Sequence, residues 1–189
     1  MLTEDLKENS HAAHQASEKK MIVALKRIES KEDYVRMLNW LYGFYAPIEA
    51  RIREYLTEDV FPDMLKRSRA EYLLWDMQAT GFDTLPPDTC TSLPHIDSFA
   101  RALGALYVLE GSTLGGRIIA GMLSRQLDSP ALTFFNSYGA ETGNMWQSFK
   151  DFLNRPRPAA QQEEIIETAI ETFITFKNWI DKHELQPQL

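Results

Sequence analysis

Apolar side chains recur every three to four positions along almost the whole chain, the spacing that places them on one face of an α-helix. No stretch shows the period-two alternation bounded by hairpin turns that strands require, and no internal repeat is present. We therefore predict an all-α fold, a single compact bundle forming one domain over residues 1–189. The predicted helices cover residues 3–26, 30–56, 62–81, 96–126, 139–153 and 160–183, with a short element at 132–135.

Local signals predict where several helices begin and bend. Thr3 is the predicted N-cap of the first helix, with acidic residues in the turn that follows. Ser30 and Asp33 form an S-x-x-D pattern, which indicates a capping box at the start of the second helix. Pro47 predicts a kink in that helix because proline lacks a backbone N–H. The longest connector is the Pro- and Thr-rich segment over residues 81–94.

The helix over residues 103–123, LGALYVLEGSTLGGRIIAGML, contains five glycines. Each interior glycine destabilises a helix by about 1 kcal/mol relative to alanine. Gly104, Gly111 and Gly115 share one stripe, which favours either close packing of another helix or a flat ligand lying on the backbone. Adjacent glycines also allow the helix to bend. Because Glu110 is the only side-chain carboxylate in this stretch, we interpret the helix as one wall of a pocket.

Composition argues against several classes of protein, among them nucleic-acid binders and membrane-spanning proteins. The chain has 20 basic and 27 acidic residues, a net charge of −7 that argues against a general nucleic-acid binder. No apolar run reaches the roughly 18 residues that cross a bilayer, and the first residues do not resemble a secretory signal. Cys90 is the only cysteine, so an intrachain disulfide is excluded and a reducing compartment fits best. We expect a cytoplasmic protein without a membrane partner.

His14 is the histidine with the most informative neighbours. Glu18 lies one turn further along the same face, where it can hydrogen-bond the second ring nitrogen of a metal-ligating histidine. Lys7 lies about 10 Å back along the helix axis, within reach of an anionic part of the same ligand. An ordinary surface pair and a solvated lysine are the alternative interpretations. A second metal ligand at His11 would need the paired E-x-x-H motifs of a di-iron bundle, which the chain lacks.

The stretch over residues 134–153, FFNSYGAETGNMWQSFKDFL, carries aromatic residues at helical spacing, a pattern that is usually core. Tyr138 and Lys150 are its polar members with a possible ligand contact. The chain has no P-loop, no G-x-G-x-x-G after a strand, no G-x-S-x-G and no C-x-x-C. Nucleotide and acyl-transfer chemistry therefore have no support in the sequence.

Taken together, three segments resemble the bacterial heme oxygenases, particularly those associated with bacteriophytochromes. LKENSHAAHQASE at residues 6–18 is similar to the proximal-helix pattern L-[RK]-x-x-[ST]-x-x-x-H-x-x-x-E. LYVLEGSTLGGRII at residues 106–119 resembles the distal-helix signature, and residues 134–149 resemble a YGxxTGxxWxxF block. The resemblance covers most of the chain, and the order of the three segments makes it specific.

The resemblance implies a heme oxygenase-like bundle that binds heme between two helices and converts it to biliverdin, CO and ferrous iron. Heme would be both substrate and prosthetic group, with O₂ and an external electron donor, a reductase or ferredoxin, as co-reactants. His14 would be the axial iron ligand. The other heme-binding residues would be Lys7, Glu18, Tyr138 and Lys150.

The resemblance also implies a distal site on the glycine helix. Gly111, Gly115 and Gly116 would let the backbone approach the heme face. Ser112 stands where some relatives carry an acid that holds a water network. Arg117 is expected either to order water or to bind a propionate.

Two other functions are open at this point. One is a heme carrier or sensor with the same fold and no turnover. The other is a bundle that binds a different small molecule, as the thiaminase-II-like proteins do. His14, Glu18 and the glycine stripe argue against the latter, and the sequence favours the enzyme.

Overall fold

The computed structural model describes residues 1–81, 88–128 and 130–184, and within these ranges every regular element is helical. The predicted all-α class is confirmed. The helices are α1 (Leu2–Lys26), α2 (Lys31–Arg53), α3 (Ala70–Ala79), α4 (Phe99–Gln126), α5 (Thr133–Asn136), α6 (Thr142–Leu153) and α7 (Ala159–Glu184), with short 3₁₀ turns at Leu65–Arg67 and Gly139–Glu141.

The start of α1 differs from the prediction. The helix begins at Leu2, so Thr3 lies inside the first turn and is not the N-cap. Both the backbone N–H and the hydroxyl of Thr3 donate to Asn154 Oδ1, at 3.1 and 3.2 Å. A side-chain acceptor from a distant helix thus satisfies a donor that a local cap would otherwise satisfy. This contact ties the start of α1 to the end of α6.

The second helix begins as predicted, and one of its backbone carbonyls accepts a hydrogen bond from outside the helix. Ser30 and Asp33 form the capping box, with the Ser30 hydroxyl accepting from the Asp33 N–H at 3.1 Å. Pro47 has no N–H, so the carbonyl of Gly43 lacks its helical donor. The N–H of Cys90 donates to that carbonyl instead, at 2.9 Å. A Cβ on Gly43 would lie 1.9 Å from the Asp88 carbonyl oxygen, so only glycine permits this approach.

The predicted third helix, residues 62–81, is interrupted. A 3₁₀ turn ends at Arg67, Ser68 is extended, and α3 starts only at Ala70. Glu49 of α2 accepts the backbone N–H groups of Arg69, at 2.8 Å, and of Ala70, at 3.2 Å. This buried carboxylate caps α3 from outside, so the local sequence shows no cap. The break turns the side chains of Arg67 and Arg69 into the protein.

Helix α7 organises the bundle because it packs along both α1 and α4. Against α4 the backbones are in direct contact, since a Cβ on Gly104 would lie 2.3 Å from the Ile165 carbonyl oxygen. Against α2, the Trp179 indole N–H donates to the Trp40 carbonyl at 2.8 Å. Among the described helices, none combines the length and apolar content needed to cross a membrane.

The segment over residues 131–139 passes behind α4 and is fastened at several points. Asp76 of α3 accepts the N–H groups of Thr133 and Phe134, at 2.8 and 2.9 Å, which caps α5. The segment then turns through Ser137 and Gly139, whose φ values of +38° and +56° lie in the left-handed region. A non-glycine residue at positive φ is retained only where its surroundings hold it. We call residues 131–139 the rear segment.

Candidate functional site

Helices α1 and α4 both pack along α7, and we call the region between α1 and α4, from Tyr107 toward Gly111 and Gly115, the cleft. His14 of α1 rests against Phe173 of α7, with the ring centroids 5.1 Å apart. On the α4 side, Tyr107 packs against Trp146 of α6 at 5.7 Å. Burial raises the pKa of the Tyr107 phenol, and the side chain of Ser10 in α1, next to its hydroxyl, opposes this. These contacts bring α1, α4 and α6 together at one end of the cleft.

The glycines of α4 divide into two groups by what surrounds them. At Gly111 an added Cβ would meet only Trp146, at 3.9 Å, and at Gly115 it would meet no described atom within 4 Å. At Gly116 it would lie 2.1 Å from the Phe135 carbonyl oxygen, and Gly104 is similarly closed by α7. Gly111 and Gly115 therefore leave α4 bare toward the cleft. Gly116 has a packing role against the rear segment, which corrects its predicted grouping with the ligand-facing glycines.

Apolar side chains continue the bare face of α4. Leu114 is 49% exposed and Ile118 is 71% exposed, although both are large aliphatic residues. They lie three and seven positions after Gly111, so all three share one side of the helix. An exposed apolar surface beside two bare turns of backbone suits a flat apolar ligand.

On α1, His14 is exposed, and neither ring nitrogen has a hydrogen-bond partner among the described residues. Glu18 is also exposed, and within the described part of the chain no hydrogen bond or ion pair joins it to His14. The imidazole is thus available to a ligand. The expected pairing of His14 with Glu18 is absent from this structure and stays a prediction.

Three basic residues that were predicted to contact the ligand lie on α1, α4 and α6. Lys7 of α1 and Arg117 of α4 are exposed, and Lys150 of α6 is half-buried. None of the three side chains makes a hydrogen bond or an ion pair with a residue that the structure describes. They are therefore available to anionic groups of a ligand.

A buried polar group lies directly behind Ser112. Its hydroxyl is 3.0 Å from the Tyr45 hydroxyl and 3.2 Å from Nη2 of Arg69. Arg69 also donates to the Leu109 carbonyl and, at 3.2 Å, to the hydroxyl of Ser137 in the rear segment. Burial alone would lower the pKa of the Arg69 guanidinium, but Tyr45 and the neighbouring acidic groups raise it above its usual value. Arg69 is thus a permanent cation behind the distal wall.

A second buried group holds the middle of α4. Glu110 is 1% exposed and pairs with Arg67, which also donates to the Met145 carbonyl at 3.2 Å. The Tyr138 hydroxyl donates to Glu110 Oε1 at 2.6 Å. Burial and the Glu110 carboxylate raise the pKa of the Tyr138 phenol well above its usual value. Tyr138 was predicted to contact the ligand, but the structure instead directs its hydroxyl to this buried carboxylate.

Sequence reasoning missed Tyr45, Arg67 and Arg69. Tyr45 belongs to a run whose apolar spacing predicts buried core, and the two arginines belong to a segment predicted to be helical. The available signal was Glu49, an acidic residue four positions after Tyr45 within an apolar stripe. A buried carboxylate requires partners, and those partners are the N–H groups of the arginine segment.

The family described as heme oxygenase matches residues 1–182 of this chain. The chain belongs to the heme oxygenase family. A heme oxygenase of Xanthomonas campestris pv. campestris is 30% identical over 148 residues, which cover 77% of this chain and 87% of the relative.

Solved heme oxygenases share the fold at lower identity. The Neisseria meningitidis enzyme, in NO- and CO-bound form, has a TM-score of 0.80 at 20% identity, covering 96% of this chain and 91% of the other. Heme oxygenase 2 of Chlamydomonas reinhardtii without heme has a TM-score of 0.81 at 21% identity, covering 99% of both chains. These similarities establish the heme oxygenase fold for this chain.

The residues of the cleft fit the heme implied by the family. Gly111 and Gly115 leave space where any side chain would occupy the face of a macrocycle. His14 offers an unpartnered imidazole, and Leu114 and Ile118 offer apolar surface. The three unpaired cations, Lys7, Lys150 and Arg117, carry the charge that would pair with the two carboxylates of a heme. Apolar, cationic and ligating groups are thus all present.

Proposed function

We propose that this chain is a heme oxygenase that holds heme between α1 and α4 and cleaves it to biliverdin, CO and ferrous iron. O₂ and electrons from a reductase or ferredoxin are the co-reactants, and the cytoplasm is the proposed location. One observation carries the proposal. The imidazole of His14 is unpartnered on one wall, and Gly111 and Gly115 present bare backbone on the other.

On the α1 side, His14 would ligate the iron as a neutral imidazole, the form in which a ring nitrogen keeps its lone pair. Phe173 supports one face of the imidazole ring. Glu18 is proposed to accept the second ring N–H once the iron fixes the ring orientation. Such a bond selects the tautomer and increases the basicity of the ligand.

On the α4 side, the bare backbone at Gly111 and Gly115 would lie against the face of the heme, where a side chain would be in the way. When bound, the heme would supply the O₂-dependent hydroxylation of its own meso carbon that precedes ring opening. The heme supplies the reactivity, and the protein supplies placement, polarity and exclusion of bulk water.

The cations are proposed to fix the heme in its plane. Lys7 and Lys150 belong to α1 and α6, which pack together, so they are candidates for the same pair of propionates. Arg117 lies further along α4, where it would bind a propionate or order water. Each exposed contact of this kind contributes less than a buried ion pair because water screens it.

The test is a titration of the purified protein with hemin, followed by addition of a reductant in air. We expect a Soret band typical of histidine ligation, which then decays as a biliverdin band appears. His14→Ala should lose the axial-ligand signature. His11→Ala is the matched control, because His11 is also exposed on α1 and should keep the wild-type spectrum.

Each other result contradicts part of the proposal. A heme complex that stays intact with reductant and O₂ indicates a carrier or sensor. A wild-type spectrum in His14→Ala removes the assigned ligand, and an absence of hemin binding removes the function.

A further inference from the structure

The hydrogen-bonding capacity of the Ser112 hydroxyl is used up within the protein. A serine hydroxyl has one proton and two acceptor lone pairs. Its oxygen lies 2.6 Å from the Leu109 carbonyl oxygen, which can only accept, so the Ser112 proton points to that carbonyl. Arg69 can only donate, and its Nη2, at 3.2 Å, occupies one lone pair. The other lone pair receives the proton of Tyr45, whose oxygen is 3.0 Å away.

The same reasoning fixes the proton of Ser137. Its hydroxyl is 2.8 Å from the Phe134 carbonyl oxygen, so it donates there, and it accepts from Arg69 Nη1 at 3.2 Å. Both serine protons therefore end on backbone carbonyls. Hydroxyls relay a proton only if each can exchange its donor and acceptor roles. Backbone carbonyls and a permanent guanidinium do not permit this exchange.

The charges around this group reinforce its orientation. Arg69 is fully buried and lies over the Tyr45 ring, with its guanidinium carbon 5.5 Å from the ring centroid. Glu49 of α2 accepts the Arg69 backbone N–H from behind, and Glu110 of α4 is committed to Arg67 and Tyr138. Neither carboxylate is hydrogen-bonded to the Tyr45 hydroxyl. The acceptor that the structure gives Tyr45 is Ser112.

We infer that Ser112 is a positioning residue that holds the hydroxyl proton of Tyr45 inside the protein, away from the distal ligand site, so that Tyr45 supplies no hydrogen-bond donor to this site. The inference rests on the proposed function, because it assigns that ligand site to the face of α4 beside Gly111 and Gly115. Ser112 was predicted to take part in catalysis through a water network. Its proton is instead committed to the Leu109 carbonyl.

Fluoride binding to the ferric, hemin-loaded protein tests this inference without turnover. Bound fluoride only accepts hydrogen bonds, so its affinity reports donors at the site. Ser112→Ala removes the acceptor of the Tyr45 proton and frees that proton for the site. We expect Ser112→Ala to bind fluoride roughly three- to tenfold more tightly, the effect of one added hydrogen bond. In a Tyr45→Phe background, Ser112→Ala should have no effect.

The opposite assignment predicts the opposite sign. If Ser112 itself donates to the ligand, Ser112→Ala weakens fluoride binding with or without Tyr45, and this result overturns the inference. Unchanged affinity also overturns it, because Ser112 would then have no control over Tyr45. Ser124→Ala is the matched control on α4, since Ser124 is exposed and its side chain makes no hydrogen bond with the described residues.

Tyr45→Phe gives an independent measurement if Ser112→Ala folds poorly. With its proton directed at Ser112, Tyr45 is no donor to fluoride, so Tyr45→Phe should leave the affinity within about twofold of wild type. A loss of tenfold overturns the inference. These outcomes are separate from the proposed function, which fails only if the wild-type protein does not bind and degrade hemin.

Discussion

Gly115 and Gly116 are neighbours in α4, yet they are glycine for opposite reasons. At Gly116 an added Cβ would lie 2.1 Å from the Phe135 carbonyl oxygen, whereas at Gly115 it would meet no described atom within 4 Å. One glycine lets two parts of the protein touch, and the other keeps a surface bare. The comparison shows that a glycine helix can be closed on one face and open on the other.

The same division applies to the polar groups of the two faces. Behind α4, Glu110 and Arg69 are buried and each has several hydrogen-bond partners, although Nε of Arg69 has none among the described residues. Toward the cleft, His14 and Arg117 are exposed, and their side chains make no hydrogen bond or ion pair in the described part of the chain. The polar groups behind α4 thus find partners within the protein, and those toward the cleft remain available to the proposed heme.

The largest expected effect is at the buried rear face. Glu110→Ala should lower the free energy of unfolding by about 3–5 kcal/mol, because it leaves the buried Arg67 guanidinium without its counter-charge. Chemical denaturation followed by circular dichroism measures this loss. Glu141→Ala, at an exposed position after the rear segment, should change stability by about 0.5 kcal/mol or less. Equal small effects of both variants would contradict the role given to Glu110.

Gly116→Ala should be the next most damaging change. Its methyl group has to displace the backbone of Phe135, which Asp76 and Arg69 hold nearby, and overpacking of this kind costs about 1–3 kcal/mol. Gly121→Ala is the matched control because the site is open, and it should stabilise the helix by up to about 1 kcal/mol. Thermal unfolding of the two variants separates them by sign.

Gly115→Leu should affect heme and leave the fold intact. The side chain enters open space, so the free energy of unfolding should stay equal or rise by up to about 1 kcal/mol through helix propensity. The same side chain occupies the face proposed for heme, so hemin affinity should fall by about tenfold or more, equivalent to about 1.4 kcal/mol. Hemin titration and denaturation of one preparation measure both. Unchanged hemin affinity would show that Gly115 does not face the ligand.

The smallest effect is expected for the exposed cations. Lys7→Ala should lower hemin affinity by about two- to fivefold, because an exposed ion pair contributes about 0.2–1 kcal/mol. Its effect should shrink as salt increases. Lys19→Ala, also exposed on α1, should leave the affinity unchanged at every salt concentration. A salt-independent loss in Lys7→Ala would indicate a contact other than charge pairing.

The sequence predicted those parts of the fold that depend on local patterns. Helical spacing located the long helices, and the Ser30 capping box was confirmed. The break before α3 was missed because its cap is Glu49, a carboxylate from another helix, so the residues around Ala70 carry no capping pattern of their own. Thr3 was wrongly predicted as a cap for the same reason, since its partner is Asn154.

At the site, the sequence predicted α1 and α4 as helices, and the ligand contacts assigned to residues on them stay predictions. It could not separate Gly116 from Gly115, because the difference lies in what packs behind the helix. Nor could it show that Tyr138 faces Glu110, because a ligand contact and an internal hydrogen bond use the same hydroxyl. Whether His14 and Glu18 pair in the presence of heme stays a prediction.

The bond between the Cys90 N–H and the Gly43 carbonyl has a consequence for folding order. Pro47 replaces a contact between residues four apart with one between residues in α2 and the segment before α4. Bringing such distant residues together costs loop-closure entropy before the bond forms. We therefore expect α2 to acquire this partner late, and protection of the Cys90 amide from hydrogen exchange should report when the bundle has closed.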